Sequence, residues 1–203
     1  MIYSWYGIEA TSPKDVTAVL DRAGGQPVEV EINSGGGDIF AGSEIYTALR
    51  AYKGEVNVYI VGLAASAASV IAMAGKSQMS PTAMMMVHNV SSYAEGDYRD
   101  MGHQSEVLQK ANKTIAAAYV AKSGMSEKDA LSLMDSETWL TAQQAVDKKL
   151  VDKVMFSDQS RMAAAYNGLL PQSVIDKARE QLTGTEAETL KAKLNLLKVK
   201  VTK

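Results

Sequence analysis

Residues 56–75, VNVYIVGLAASAASVIAMAG, decide the fold of this 203-residue chain. An apolar run ends at Gly62, small residues continue to Ser66, and a compact helical pattern begins directly after that serine. A strand, a tight turn, a serine and a helix in this order are typical of a nucleophile elbow, although Ala64 and Ala68 replace its usual glycines. Free N–H groups at the helix start would favour negative charge developing beside Ser66. Small residues at such a junction also serve close packing, so this stretch alone leaves both interpretations open.

The composition excludes several kinds of chemistry. The chain has no cysteine, so disulfides, thiol catalysis and thiolate metal sites are excluded. Its formal net charge of −2 gives no electrostatic reason to expect a nucleic-acid or membrane partner. No run approaches the roughly 18 consecutive apolar residues of a membrane span, and the first residues lack the pattern of a signal peptide. We therefore expect a folded cytoplasmic protein.

Two strand–turn–helix units lie about thirty residues apart and predict an α/β fold with a mainly parallel sheet. In the first unit, VEVEI at 28–32 alternates as a strand and is followed by the glycine run Gly35–Gly37 and a helical pattern. The second unit is the stretch 56–75. Residues 76–79 are expected to form a connection, and AMMMVH at 83–88 to form a third, buried strand.

The second half of the chain predicts mainly helices. A polar loop leads into a long helical pattern over residues 97–123, which ends at Gly124. Residues 137–140 are a short extended piece, and a capped helix, AQQAVDKKL, and a final strand, VDKVMF, follow. The composition then becomes rich in Ala, Gln, Lys and Glu. We therefore predict a core domain over residues 1–156 and a helical C-terminal appendage over residues 157–203.

The chain has only two histidines, His88 and His103. His88 ends a predicted strand, where side chains of a parallel sheet emerge at a crevice, whereas His103 lies within the long helical pattern. A histidine at a strand end is more often structural than catalytic. Because Ser66 is expected at the end of a neighbouring strand, however, the two residues form a candidate serine–histidine pair.

The glycine run Gly35–Gly37 lets the backbone approach a ligand closely or adopt a positive φ. It is not a phosphate-binding P-loop, because Ser43 stands where that motif requires lysine. It does not match G-x-G-x-x-G either, because Phe40 replaces the third glycine. The two histidines also lack the H-E-x-x-H spacing of a zinc site. We therefore expect neither a cofactor site nor a metal site in this chain.

Three motifs in register resemble the Clp protease proteolytic subunit (ClpP) family. They are NSGGG at 33–37, GLAASAAS at 62–69 and MVHN at 86–89, and the segment TWLTAQQAVDKKLVDKV at 138–154 is similar to the end of the family domain. The resemblance covers roughly residues 25–156. It implies a serine peptidase with the ClpP/crotonase fold, a spiral of repeated β-β-α and βαβ units, assembled as rings that enclose a chamber.

The resemblance also assigns roles to individual residues. By motif position, Ser66 corresponds to the nucleophile and His88 to the general base. The backbone N–H groups of Gly36 and Ala67 correspond to the oxyanion donors. The helix predicted at 97–123 corresponds to the long protruding handle through which the family pairs its rings.

The sequence departs from the family pattern at two positions of the site. The glycine loop usually reads Ser-Pro-Gly-Gly, and Gly35 replaces the proline here. The third member of the triad is usually an aspartate two residues before an aromatic residue. Alignment on Trp139 puts Glu137 at that position, with Asp135 two residues earlier as the alternative acid. Glutamate can orient a histidine and stabilise its imidazolium form as aspartate does.

A short N-terminus without the family's axial gate, together with an added C-terminal segment, resembles the ClpP-type head-maturation (prohead) proteases of tailed phages and prophages. This implies a homo-oligomer of stacked rings, heptamers or up to a tetradecamer, in the host cytoplasm or an assembling prohead. Capsid or scaffold proteins would be the polypeptide substrates. No cofactor is expected in this chain, and any dependence on ATP would come from a partner AAA+ unfoldase.

Three alternatives stay open. The chain could be a housekeeping proteolytic subunit that works with an AAA+ unfoldase. It could be an inactive structural ring that keeps the fold without the activity. It could also be a crotonase-like enzyme that uses the same paired N–H groups on acyl-CoA thioesters. Labelling of Ser66 by a serine-directed probe separates peptidase chemistry from the last two.

Overall fold

A computed structural model describes residues 10–157 of the chain. Six helices lie in this part: α1 (Pro13–Ala23), α2 (Ile39–Ala51), α3 (Ala67–Ala72), α4 (Tyr98–Ser123), α5 (Glu127–Asp135) and α6 (Ala142–Asp147). Six strands accompany them: β1 (Val28–Ser34), β2 (Val56–Ala65), β3 (Lys76–Met79), β4 (Met84–Val87), β5 (Thr138–Thr141) and β6 (Lys153–Val154). The predicted α/β class is confirmed. The predicted appendage at 157–203 lies outside the described residues apart from Ser157.

The six strands form one sheet around β2, which pairs in parallel with β1, β3 and β4. Strand β6 adds to β3 in parallel, and β5 is antiparallel to β4. The sheet is therefore mainly parallel, as the sequence predicts. Strand β2 pairs with β3 through residues 57–60 and with β4 through residues 63–65. Its last residues thus lie beside β4, immediately before Ser66.

The prediction that residues 76–79 are a simple connection is wrong, because they form strand β3. Three of its four residues are polar, so the segment lacks the apolar pattern by which a strand is recognised in the sequence. Ser77 and Met79 are nevertheless buried in alternation with Lys76 and Gln78. The burial of Ser77 is tolerated because the carboxylate of Asp152 accepts a hydrogen bond from its backbone N–H.

Helix ends follow the capping signals in the sequence. Ser12 caps α1 in a capping box with Asp15. Asp97 caps α4, and that helix ends at Gly124 in the left-handed conformation. The long helix predicted over 97–123 is therefore confirmed.

The last predicted helix and strand are shorter than expected. Helix α6 ends at Asp147 and β6 covers only two residues, Lys153–Val154. Between them Lys149 has a left-handed φ of 58°. This turn brings Leu150 and Val151 into the core, where both side chains are almost fully buried.

The core lies around β2 and α3. Val58 and Ile60 of β2 are fully buried, and so is nearly every side chain of α3. Small residues allow the neighbouring backbones to come close: a Cβ on Gly42 of α2 would lie 2.9 Å from the Cβ of Ala67. Ser66 therefore sits between two rigid, packed elements. In the described part of the chain, no helix is long and apolar enough to cross a membrane.

Candidate active site

Ser66 occupies the junction between β2 and α3 in a strained backbone conformation. Its φ is 55° and its ψ is −127°, which a residue with a side chain rarely adopts and which costs about 1–3 kcal/mol. Hydrogen bonds hold this geometry. The Ser66 N–H donates to the carbonyl of Met86 at 3.0 Å, and the Ser66 carbonyl accepts from Ser69 N at 2.9 Å and Val70 N at 3.4 Å. Strain of this kind is typical of residues whose side chain must be presented for function.

His88 lies directly after β4, at the same edge of the sheet. Because β4 pairs with the last residues of β2, Ser66 and His88 emerge side by side. The Nε2 atom of His88 lies 2.8 Å from the Oγ atom of Ser66. In the tautomer with its proton on Nδ1, Nε2 accepts the hydrogen bond from the serine hydroxyl. Both residues are half-buried, so the hydroxyl remains accessible to a substrate.

The glycine run lies against Ser66, and only glycine fits its middle position. Gly36 has a φ of 100°. A Cβ on it would lie 2.7 Å from Ser66 Cβ, 2.8 Å from Ala65 O and 3.1 Å from Ala67 N. Ala67 is the first residue of α3, where a backbone N–H has no partner carbonyl within its helix. Gly36 and the N–H of Ala67 are therefore neighbours beside the Ser66 side chain.

Ser34 is a site residue that the sequence analysis missed. Its Oγ atom accepts a hydrogen bond from Gly36 N at 3.1 Å. A serine two residues before a glycine in a loop is the available signal, because such hydroxyls commonly bond the backbone two residues on.

The two candidate acids, Glu137 and Asp135, both lie near the site, but neither carboxylate is hydrogen-bonded to His88 in the described residues. Strand β5 ends its pairing with β4 at Thr138 and Val87, the residue before His88. Glu137 lies in the turn immediately before β5, where its φ is 43°. The Glu137 carboxylate instead accepts a hydrogen bond from Trp139 Nε1 at 3.3 Å.

Asp135 accepts a hydrogen bond from Asn89 Nδ2 at 2.9 Å. Asn89 follows His88 in the chain, so this acid is linked to the residue beside the histidine. Both carboxylates are exposed. The choice of Glu137 over Asp135 stays a prediction. It is supported by the position of Glu137 directly before Thr138, which pairs with the residue before His88.

His103 lies within the long helix, as its position in the helical pattern predicts, and is exposed on the first half of α4. Only the later part of this helix reaches the core, through residues 115–119. In the part of the chain that the structure describes, no three His, Asp or Glu side chains are grouped so as to hold a metal ion.

A cavity of about 280 Å³ opens beside Ser66 and His88. Its walls are the loop after the glycine run, the loop after β4 and one face of α4. The side chains of this wall on α4 are mainly apolar and include Val107, Leu108, Ala111 and Ile115. The cavity is thus suited to an apolar group attached to whatever reacts with Ser66.

The arrangement combines the parts needed for acyl transfer to a serine. Ser66 supplies a hydroxyl, His88 a nitrogen that can take its proton, and the adjacent backbone N–H groups can bind a developing oxyanion. Such a set of groups suits attack on a carbonyl carbon.

Comparison with known proteins gives a consistent family assignment. A family model described as Clp protease matches residues 12–158. The chain is 29% identical over 158 residues to ATP-dependent Clp protease proteolytic subunit 1 of Chlamydia abortus, covering 75% of this chain and 76% of that protein. It is 31% identical over 134 residues to the ATP-dependent Clp protease proteolytic subunit of Bacteroides fragilis, covering 64% of this chain and 65% of the relative.

Proposed function

Because this chain belongs to the Clp protease family of serine peptidases, we propose that it hydrolyses peptide bonds with Ser66 as nucleophile and His88 as general base. The observation that carries the proposal is the 2.8 Å separation of Ser66 Oγ and His88 Nε2. The strained backbone at Ser66 supports it, because a serine that served only packing would not need this conformation.

The reaction follows from these positions. His88 Nε2 takes the hydroxyl proton while Ser66 Oγ attacks the peptide carbonyl, and the carbonyl oxygen becomes an oxyanion. The N–H groups of Gly36 and Ala67 stabilise that oxyanion, which requires Gly36 to give up its bond to Ser34. Each such donor contributes about 3–4 kcal/mol in the transition state. The imidazolium then protonates the leaving amine, and water hydrolyses the acyl-enzyme by the same steps.

Glu137 is the proposed acid of the triad. Its place in the chain supports this role, since Glu137 immediately precedes Thr138, and Thr138 pairs with Val87, the residue before His88. To accept a hydrogen bond from His88 Nδ1–H, the carboxylate would leave Trp139 Nε1, whose bond to it is weak at 3.3 Å. Asp135 is the alternative, with Asn89 between it and the histidine.

Probe labelling and peptide hydrolysis test the proposal. Ser66→Ala and His88→Ala should abolish labelling by a fluorophosphonate and reduce peptide hydrolysis to background. His103→Ala is the matched control, because that histidine is exposed on α4, and it should behave as wild type. A Ser66→Ala protein that still labelled and still cleaved peptides would overturn the assignment.

We also propose that the chain works as a homo-oligomer of stacked rings. Large apolar side chains on the described surface support an assembly, since Phe40 is 72% exposed, Tyr98 83% exposed and Tyr93 fully exposed. Native mass spectrometry should give a multiple of the subunit mass that corresponds to one or two rings. A monomer at micromolar concentration would contradict this proposal.

For the biological role we propose maturation of a phage or prophage capsid, in the host cytoplasm or an assembling prohead. The support is the resemblance of the sequence to head-maturation proteases. The names of the relatives support a second role equally, that of a proteolytic subunit which works with an AAA+ unfoldase.

One experiment separates the two roles. Cleavage of a capsid or scaffold protein without ATP would support maturation. Consumption of a folded substrate only in the presence of an unfoldase and ATP would support the second role and overturn the first.

A further inference from the structure

Two buried hydroxyl groups connect the backbone of Ser66 to helix α4. The Oγ atom of Ser69 donates to the carbonyl oxygen of Ser66 at 2.6 Å. The same Oγ atom lies 2.8 Å from the hydroxyl oxygen of Tyr119. Ser69 is 0% exposed and Tyr119 is 2% exposed. The bond between the two hydroxyls is therefore buried, and the bond from Ser69 to Ser66 is partly buried. The Ser66 carbonyl is therefore linked to a residue 50 positions away in the sequence.

The direction of these bonds follows from the chemistry of the groups. A carbonyl oxygen can only accept, so the single hydroxyl proton of Ser69 is committed to Ser66. Tyr119 must then donate its own proton to Ser69 Oγ. Burial raises the pKa of Tyr119 to about 12, although the hydrogen bond with Ser69 acts to lower it. Tyr119 thus keeps its proton, and its donor role, throughout the neutral range.

The held carbonyl belongs to the same planar peptide unit as the N–H of Ala67. In a trans peptide these two groups point in opposite directions, so fixing one fixes the other. The ψ angle of Ser66, −127°, sets the orientation of this unit. The carbonyl accepts from Ser69 Oγ, at 2.6 Å its shortest bond, and from the backbone N–H groups of Ser69 and Val70. Together these donors aim the Ala67 N–H toward the space beside the Ser66 hydroxyl, where an oxyanion would form.

We propose that Ser69 and Tyr119 are positioning residues for the oxyanion donor Ala67. They touch neither the scissile bond nor the proton that His88 transfers. Their hydroxyls instead hold the 66–67 peptide unit, and with it the Ala67 N–H, in the orientation that stabilises the transition state. This inference rests on the proposed peptidase function and adds two residues to it.

Ser69→Ala gives the cleanest test, because Ser69 is fully buried whereas Tyr119 also lines the cavity. We expect kcat to fall by about tenfold and KM to stay unchanged. The fall is smaller than the 10²–10³-fold effect of losing an oxyanion donor, because the Ala67 N–H would be misdirected but not removed. Tyr119→Phe removes only the second bond and should lower kcat by about threefold. Ser77→Ala is the matched control, since it removes an equally buried serine hydroxyl that contacts Asp152 instead, and its kcat should be that of wild type.

A transition-state readout separates positioning from a general loss of structure. A peptide aldehyde forms a tetrahedral adduct with the serine, whose oxygen occupies the oxyanion site. Its inhibition constant should therefore rise in Ser69→Ala by the same factor as kcat/KM falls, while substrate KM stays constant. Equal kcat and equal aldehyde affinity in a folded Ser69→Ala protein would overturn the inference. A fall in kcat in Ser77→Ala as large as that in Ser69→Ala would also overturn the inference. If Ser69→Ala does not fold, the same comparison is made with Tyr119→Phe.

Failure of the inference and failure of the proposed function give different results. If the wild-type protein neither labels with a fluorophosphonate nor cleaves peptides, the proposed function fails. Crystal structures of wild type and Ser69→Ala then still test the positioning. We expect the 66–67 peptide unit to rotate in the variant, and an unchanged ψ at Ser66 would overturn the inference.

Discussion

Replacing Gly36 with alanine tests the oxyanion site by adding a single methyl group. The new Cβ would lie 2.7 Å from Ser66 Cβ, 2.8 Å from Ala65 O and 3.1 Å from Ala67 N. Carbon atoms in normal contact are about 3.5–4.0 Å apart, so the overlap with Ser66 is about 1 Å. None of these three atoms is the end of a flexible side chain. The loop that carries Gly36 must therefore move away from Ser66.

The size of the effect follows from this displacement. A shift of about 1 Å at a catalytic group can cost about 100-fold in rate. Loss of one oxyanion donor costs about 10²–10³-fold in kcat, or about 3–4 kcal/mol. The φ of 100° at Gly36 also disfavours alanine, which pushes the loop further from its present conformation. We therefore expect kcat/KM to fall by at least about 100-fold in Gly36→Ala.

Gly35→Ala is the matched control in the same loop. A Cβ on Gly35 would meet no atom within 4 Å. Its kcat/KM should therefore stay within about threefold of wild type, as expected for an unstrained surface change. Hydrolysis of a fluorogenic peptide gives kcat and KM, fluorophosphonate labelling gives the reactivity of Ser66, and thermal unfolding shows that each variant is folded.

Two results would refute this reasoning. A folded Gly36→Ala protein with kcat/KM within about threefold of wild type would mean that Gly36 does not serve the oxyanion. A similar loss in both variants would mean that any change in the glycine loop disturbs the site, and that the N–H of Gly36 has no specific part in it.

Three further predictions concern the proposed acid, the buried tyrosine and the ion pair in which Lys122 Nζ lies 2.6 Å from Asp152 Oδ2. Glu137→Gln should lower kcat by at least about 100-fold, and Asp135→Asn by less than about tenfold; steady-state kinetics giving the reverse order would make Asp135 the acid. The folded protein holds the Tyr119 proton up to about pH 12, whereas the unfolded chain releases it near pH ~10. The free energy of unfolding should therefore fall by up to ~3 kcal/mol across that window, and in denaturant titrations Tyr119→Phe should lack this decline. Partial burial acts to raise the pKa of Asp152, but hydrogen bonds from Lys122 and from the backbone of strand β3 outweigh it, so the pKa lies below its usual value. The stabilisation is thus present above pH ~4 and lost as the pH falls. Asp152→Asn should cost about 1 kcal/mol at pH 7, after allowance for its exposed half, and much less at about pH 3; equal losses at both values would contradict the charge-based account.

Local signals in the sequence were sufficient for most of the elements and for the serine–histidine pair. Ser12 and Asp97 indicate where helices start, because their side chains accept hydrogen bonds from backbone N–H groups in the first turn, within three residues. Ser66 and His88 each follow an apolar run, and a parallel sheet brings the ends of neighbouring strands together. These inferences need only short-range geometry and one topological rule.

What the sequence did not predict depends on contacts between distant residues. Strand β3 is polar, and the burial of Ser77 is tolerated because of Asp152, 75 residues later. The partnership of Ser69 with Tyr119 spans 50 residues and leaves no pattern in either segment. The Glu137 side chain lies toward Trp139 from a turn with a φ of 43°, a backbone conformation that no spacing rule determines.

At Ser66, the backbone conformation with φ 55° makes the residue needed for activity different from the residue that would be most stable. Glycine adopts a φ of 55° without strain, so Ser66→Gly would remove the nucleophile and at the same time relieve the backbone. A chain freed from the need to cleave peptides would therefore gain backbone stability from glycine there, and selection would not remove that change. The serine at this position is thus the less stable choice. Its presence supports the proposed peptidase function over a ring kept only for its shape.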